Sequence, residues 1–248
     1  LIWVPEKSLS SYKKSWSNNA TQILPIGGKI DYNIKTTAQD NAPGLLQQLD
    51  RNNLNSVVNL KVSGTINGYD IMLFRNKMDN LHYLDLSDAD IIANPYEYYE
   101  GCCTQDSILG DKSFYDVKSL IEIRIPKSIK RIGVSAFSGC NVKNVIFQKK
   151  QNIELGELAF YDSNVENINL PIGTKLEASC FGFCKNLHKI ILPEGLENIP
   201  SDCFFGTDIH SVELPSSLKR IEGGAFNTNS YFNSGLDSIS FPLGLSFI

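Results

Sequence analysis

The 248 residues carry a net charge of −4 at pH 7, with 42% apolar and 20% charged residues, the balance of an ordinary globular chain long enough to bury a substantial core. The negative charge excludes an electrostatic grip on nucleic acid or on an anionic membrane surface. No apolar run reaches the ~18–20 residues that a membrane-spanning helix needs. The chain starts at Leu1 rather than Met, which reads as a processed or excised piece whose targeting segment has been lost.

In chain order, residues 1–26 carry no visible repeat. Ser8 is placed to cap a short helix to Trp16, with Tyr12 and Trp16 four apart on one face. Asn19-Ala20-Thr21 fits a glycosylation triplet, a pattern common by chance. Gly27-Gly28 breaks this stretch from the next segment, so residues 1–28 read as a cap-like segment closing a preceding module. Ile30 to Ile34 alternates apolar and polar residues and predicts an edge strand. Asn41-Ala42-Pro43 then predicts a capped helix over 42–53, with Leu45, Leu46 and Leu49 facing the first repeat. Residues 29–56 are thus an N-terminal capping strand and helix. A further helix is expected over about 70–78, capped by Asp70.

From Val57 onward one template recurs: L-x-x-I-x-L-P-x-x-L-x-x-I-x-x-x-A-F-x-x-C. Its strand cores start at Leu60, Leu84, Ile123, Val145, Ile168, Ile190, Val212 and Ile239, at intervals of 24, 39, 22, 23, 22, 22 and 27 residues. A near-constant period of this length predicts a leucine-rich-repeat solenoid of about eight repeats over 57–248, in the α/β horseshoe class, with short parallel strands, coil and little helix. Proline at 126, 171, 193, 215 and 242 stops each ladder, because it has no donor to offer. Phe137, Phe160, Phe181, Phe204 and Phe226, each preceded by Ala or Cys, predict an aromatic spine on the return side. The 39-residue interval hides an insertion around residues 93–107, with Ser113-Phe114 restoring the repeat. The chain stops midway through a repeat, and weak self-association through that open end is expected.

The six cysteines follow the repeat: Cys180 and Cys203 share a position with Ala136, Ala159 and Ala225, and Cys140 and Cys184 share one with Ser163 and Thr207. Such small buried positions predict free thiols. The adjacent pair Cys102-Cys103 lies in the insertion with no histidine placed to activate it. His82, His188 and His210 each follow the first apolar residue of a repeat, and His188 and His210 come from adjacent repeats. They read as surface histidines at a strand edge. A bridging metal is the alternative, with Glu213 as the nearest further ligand, but no metal site is assigned because structural sites want four ligands. Asp85, Asp88 and Asp90 lack the glycine and distal glutamate of an EF-hand loop and read as turn carboxylates. Gly133-Val134-Ser135-Ala136-Phe137 lacks the last glycine of a nucleophile elbow and is a repeat unit. No catalytic set and no cofactor are expected.

Alternation along the strands leaves one ladder of side chains facing outward on the concave sheet: Lys61, Asp85, Arg124, Ile146, Asn169, Ile191, Glu213 and Ser240, flanked among others by Tyr83 and Glu122. Lys61, Tyr83, Asp85, Glu122, Arg124, Ile146, Asn169, Ile191 and Glu213 are the candidate ligand-binding residues. Their mixed charge suits a protein or glycan rather than a polyanion.

The segments Val62-Ser-Gly-Thr-Ile-Asn-Gly68 and Leu84-Asp-Leu-Ser-Asp-Ala89, Tyr98-Tyr99 in the insertion and the repeated L-P…A-F-x-x-C units resemble the BspA-like leucine-rich-repeat proteins, common on the surfaces of gut and oral Bacteroidetes. The resemblance covers about residues 40–248. It implies secretion or surface anchoring and a role in adhesion to host or neighbouring-cell macromolecules, and it supplies no catalytic residues. The competing expectation is a structural spacer that displays another domain.

Overall fold

The structure is a computed structural model that describes residues 2–5, 23–26, 31–38, 44–45, 49, 51–148, 152–227, 236 and 239–246. Its elements follow from short apolar–polar alternations separated by turns. In chain order they are β1 (Ile2–Pro5), β2 (Ile23–Ile26), β3 (Asp31–Thr37), β4 (Asn59–Ile66), α1 (Gly68–Asn76), β5 (Tyr83–Ile91), β6 (Asn94–Tyr99), β7 (Cys102–Thr104), β8 (Ile108–Leu109), β9 (Glu122–Arg124), β10 (Arg131–Ile132), β11 (Asn144–Ile146), β12 (Glu154–Leu155), β13 (Asn167–Ile168), β14 (Lys175–Leu176), β15 (Lys189–Ile191), β16 (Asn198–Ile199), β17 (Ser211–Glu213) and β18 (Arg220–Ile221).

These strands stack into a parallel β-solenoid. One sheet runs β3-β4-β5-β9-β11-β13 and resumes as the pair β15-β17. Every pairing in it is parallel, and the only antiparallel strand pair among the described residues is the β6–β7 hairpin of the insertion. The seven predicted strand cores from Leu60 to Val212 are present. The eighth is not: residues 239–241 form no strand. The repeat persists there as a turn, since Leu245 N–H donates to Pro242 O (3.1 Å) and Ser246 N–H to Lys219 O (2.9 Å). The same turn follows Pro126, Pro171, Pro193 and Pro215, whose carbonyls each accept from the N–H three residues on, at 3.2 Å. Proline therefore begins the repeat's turn as well as ending its strand.

A second parallel sheet, β8-β10-β12-β14 with the pair β16-β18, was not expected. Each of its strands is two residues long, a polar residue or, in β8, an isoleucine facing out and an apolar one facing in. Leu109, Ile132, Leu155, Leu176, Ile199 and Ile221 are the buried members.

The third side of each turn is the aromatic spine. Rings of Phe114, Phe137, Phe160, Phe181, Phe204 and Phe226 succeed one another at centroid separations of 5.3, 5.1, 5.3, 5.5 and 5.2 Å, with planes within 9°. Near-parallel rings at this separation are offset-stacked, the arrangement ring quadrupoles favour. Each Phe N–H donates to the carbonyl of the residue before the next Phe: Ala136, Ala159, Cys180, Cys203 and Ala225, at 2.7–2.8 Å. That bond brings the backbones together beside the rings and leaves room only for a small side chain. Two residues before the ring, Lys112, Ser135, Leu158, Ser179 and Asp202 hold φ between 53° and 56°. Left-handed backbone costs an L-residue roughly 1–2 kcal/mol. It persists here because these N–H groups also donate to the next repeat, as in Ser135 to Glu157 O at 3.0 Å and Leu158 to Ala178 O at 3.1 Å.

The N-terminal half departs from the expected helices. The stretch 8–16 lies outside the described residues. Within 42–53 the described element is a 3₁₀ turn at Arg51–Ser56, with Leu45, Leu49 and Leu54 buried against the first repeat. Helix α1 is capped by Asn67, not by Asp70. Asp70 is the third helical residue of a capping box, and its carboxylate accepts from Asn67 N–H (3.1 Å), Leu45 N–H (2.9 Å) and Gly44 N–H (3.3 Å). It thus ties residues 44–45 to the solenoid. The first helical residue, Gly68, has no room for a side chain: a Cβ there would stand 2.6 Å from Tyr96 O of the insertion. β1 and β2 pair in parallel, with Ile2 opposite Ile23, a 21-residue offset that matches the repeat.

All six cysteines are free. Cys140, Cys180, Cys184 and Cys203 are fully buried in the spine's surroundings. Burial pushes the Cys140 and Cys184 thiols up to about 12, and those of Cys180 and Cys203 also rise well above the usual range.

Replacing Phe181 with Ala empties a site between two rings and is expected to cost about 3–5 kcal/mol in denaturant melts. Asn169→Ala, exposed on the sheet, is expected to change stability by less than about 0.5 kcal/mol. In the native protein a thiol reagent should label Cys102 and Cys103 first, and labelling of the other four should wait for unfolding. Rapid native labelling at Cys180 or Cys203 would contradict the packing described.

Candidate functional site

The outward side chains of β3, β4, β5 and β9 lie in two rows. Register sets Asn59, Tyr83 and Glu122 side by side, and next to them Asn33, Lys61, Asp85 and Arg124. Neighbouring strands are about 4.8 Å apart, so each row is a continuous strip of functional groups. The strips enclose an open recess of about 390 Å³. Its lining comes from Tyr32 and Asn33 of the edge strand, Asn59 and Lys61 of β4, Tyr83 and Asp85 of β5, and Glu122 and Arg124 of β9.

Charge in the recess is nearly balanced. Lys61 Nζ lies 2.8 Å from Asp88 Oδ2 and 3.8 Å from Asp85 Oδ2, and Arg124 Nε lies 3.7 Å from Glu122 Oε1. The hydrogen bond to Asp88 is the main cause that raises the Lys61 pKa, and the same bond lowers that of Asp88. Asp85 also accepts from Ser87 N–H at 2.9 Å. Asp85, Asp88 and Asp90 thus sit along strand β5 and not in a turn, and the first two are engaged by Lys61. These ion pairs are solvent-exposed and worth little to folding. Their groups remain available to exchange partners with a ligand.

Five of the nine predicted residues, Lys61, Tyr83, Asp85, Glu122 and Arg124, meet in this recess. The other four lie outside it. Ile146 is half-buried in the next strand, and Asn169 is exposed after β13. Ile191 stands 51% exposed beyond the gap between β13 and β15. Glu213 is tied to Lys189 at 2.7 Å. Sequence reasoning missed Tyr32, Asn33 and Asn59. Pairing the alternation at Asp31–Thr37 with that at Asn59–Ile66 was the signal that could have placed the first two.

The remaining chemistry-bearing groups have structural or surface roles. Ser135 has the positive φ of a nucleophile elbow, but Leu158, Ser179 and Asp202 share it, so the geometry belongs to the repeat. A Cβ at Gly133 would stand 2.3 Å from Asp111 Oδ1 and 2.5 Å from Asp111 N, which explains that glycine. Cys102 and Cys103 lie half-buried in the β6–β7 hairpin, with Cys103 Sγ 3.3 Å from Pro95 O. Burial raises the Cys102 thiol, the opposite of nucleophile activation. His188 and His210 stack at 6.0 Å between ring centroids. Their nearest carboxylate is Asp208 and not Glu213. The insertion packs on α1 through the stacked Tyr69–Tyr96 pair, at 3.7 Å, and the Arg75 guanidinium lies 4.0 Å from the Tyr99 ring centre. No helix among the described residues is long and apolar enough to cross a membrane.

Among curated proteins none matches this chain. A crystal structure of a leucine rich cell surface protein from Faecalibacterium prausnitzii is similar over 60% of this chain and 40% of that one, at 25% identity and a TM-score of 0.49. The chain therefore spans about two-fifths of that protein's length. The BspA type leucine rich repeat region matches residues 107–233 in six copies, about half of the chain and the span in which the phenylalanine spine is continuous. The chain belongs to the BspA-type leucine-rich-repeat family.

Proposed function

We propose that this chain is a non-catalytic binding module of the cell surface or extracellular space, which recognises a protein or glycan of a host or neighbouring cell. The observation that carries this reading is the recess on the repeat sheet, where Lys61, Tyr83, Asp85, Glu122 and Arg124 converge from three adjacent strands. It is open, carries charged groups of both signs and has two tyrosines, Tyr32 and Tyr83, in its lining. Such a surface suits a large polar ligand lying across it. Surface placement rests on the family resemblance, and so does the adhesive role. A repeat scaffold by itself names no ligand.

The test is binding of the full chain to glycan arrays and to immobilised matrix proteins. Tyr83→Ala and Arg124→Ala are each expected to weaken binding by about 2 kcal/mol or more, as central tyrosine and arginine contacts do. Lys219→Ala, exposed and outside the recess, is expected to leave it unchanged. Inertness on both panels would favour a spacer that displays another domain. Binding that survives both recess variants would move the site off this face.

A further inference from the structure

Over four consecutive repeats two columns can be compared position by position, and the last of the four departs from the three before it. The residue before the first apolar position of a repeat is asparagine at Asn141, Asn164 and Asn186. These amides form a ladder: Asn164 Nδ2 donates to Asn141 Oδ1 at 2.9 Å, and Asn186 Nδ2 to Asn164 Oδ1 at 3.2 Å. The next repeat places Asp208 there. An ionised carboxylate has no proton to donate, so it cannot extend the ladder. Two positions on, the column reads Lys143, Glu166, His188 and His210. The first two are joined to each other at 2.8 Å. The two histidines are the neighbours of the one aspartate.

The Asp208 carboxylate turns to that pair. Oδ2 lies 3.2 Å from His188 Nδ1, and Oδ1 lies 3.6 Å from His210 Nε2. One ligand atom from each of the three residues falls within 4.8 Å of the others. Two donors bound to one tetrahedral zinc ion, at bond lengths of about 2.0–2.2 Å, stand about 3.4 Å apart. The two nitrogen–oxygen distances run to different oxygens of the carboxylate, Oδ2 and Oδ1, so closing on a common centre through one oxygen takes rotation of the exposed carboxylate as well as of the rings. His188 Nδ1 also lies 3.2 Å from the Asp208 carbonyl. In the tautomer protonated at Nδ1 the ring N–H donates to that carbonyl, and an ion bound at Nδ1 would stand where the proton does.

We propose that His188, Asp208 and His210 form a binding site for a divalent transition-metal ion of the zinc class. Two imidazole nitrogens with one carboxylate oxygen suit zinc, copper or nickel, whereas calcium and magnesium take oxygen ligands. With three protein ligands the ion keeps at least one open position. The site faces solvent beside a recess of about 400 Å³ lined by Glu166, Asn167, Asn186, His188 and Lys189. The ion would clamp two successive repeats just after the point where pairing of the long sheet lapses between β13 and β15. This inference does not depend on the sheet recess, and either can fail alone.

The test is calorimetric titration of the full chain with Zn²⁺, and with Ca²⁺ and Mg²⁺ as comparators. The expected result is one Zn²⁺ per chain, neither comparator bound, and a melting temperature raised by zinc. His188→Ala, His210→Ala and Asp208→Ala should each weaken zinc binding by more than the ~10–100-fold lost when an outer-shell partner is removed. All three positions are at the surface, and their far-UV spectra should match the parent's. His82→Ala, which changes the histidine outside the cluster, should bind as the parent does. Absence of zinc binding, binding undiminished in His188→Ala/His210→Ala, or equal uptake of calcium would overturn the proposal.

Discussion

The structure depends on one contact repeated along its length: the Phe N–H of one turn bonded to the carbonyl beside the next turn's Phe, with the two rings stacked alongside. A single turn of this chain has no core. Its strands are two or three residues long in most repeats, too short to persist alone, and its aliphatic side chains are covered only by the turns above and below. The bond at 2.7–2.8 Å and the ring stack at 5.1–5.5 Å set the rise from turn to turn, and the other features depend on it. The residue before each ring must be small, and five residues accept left-handed backbone because their N–H groups are claimed by the neighbouring turn. Stability is then close to a sum of nearest-neighbour terms along one axis.

The candidate binding surface takes its spacing from the paired strands. In-register pairing of β4, β5 and β9 sets side chains 24 and 39 residues apart in rows one strand apart. No loop has to fold to bring Lys61, Asp85 and Arg124 together, nor Tyr83 and Glu122. The same property lets one substitution create a new local chemistry. Where Asn141, Asn164 and Asn186 give way to Asp208, an inert amide ladder becomes a carboxylate beside two stacked imidazoles. Sites on such a scaffold are departures from the repeat, and they can be found by comparing each turn with its neighbours.

Much of the architecture was legible for the same reason. Apolar alternation at Leu60, Ile123 and Ile190 fixed both strand position and facing, because the side-chain period of a strand is two. The A-F pairs located the spine. What escaped had weaker signals. The second sheet is built from two-residue strands such as Arg131-Ile132 and Lys175-Leu176, where one buried aliphatic gives no alternation to read. The β6–β7 hairpin and α1 replace repeat turns with local structure, and the repeat pattern is silent there. Ile239–Phe241 has a strand's composition, yet strand formation depends on a neighbouring turn as well as on composition. Five of nine candidate binding residues converge because the sheet is continuous from β3 to β9. Ile191 and Glu213 fall beyond the gap after β13, which no residue in the sequence announces.

Hydrogen exchange resolved along the backbone probes the contact between successive phenylalanine turns without intermediary. If that contact holds the solenoid together, the amides of Phe114, Phe137, Phe160, Phe181 and Phe204 are the most protected in their turns, and protection rises from the ends of the array toward Phe160. Loss of one ring, as in Phe160→Ala, should lower protection in the turns on both sides of it. Fast exchange at the central phenylalanine amides, or a Phe160→Ala effect confined to its own turn, would contradict it.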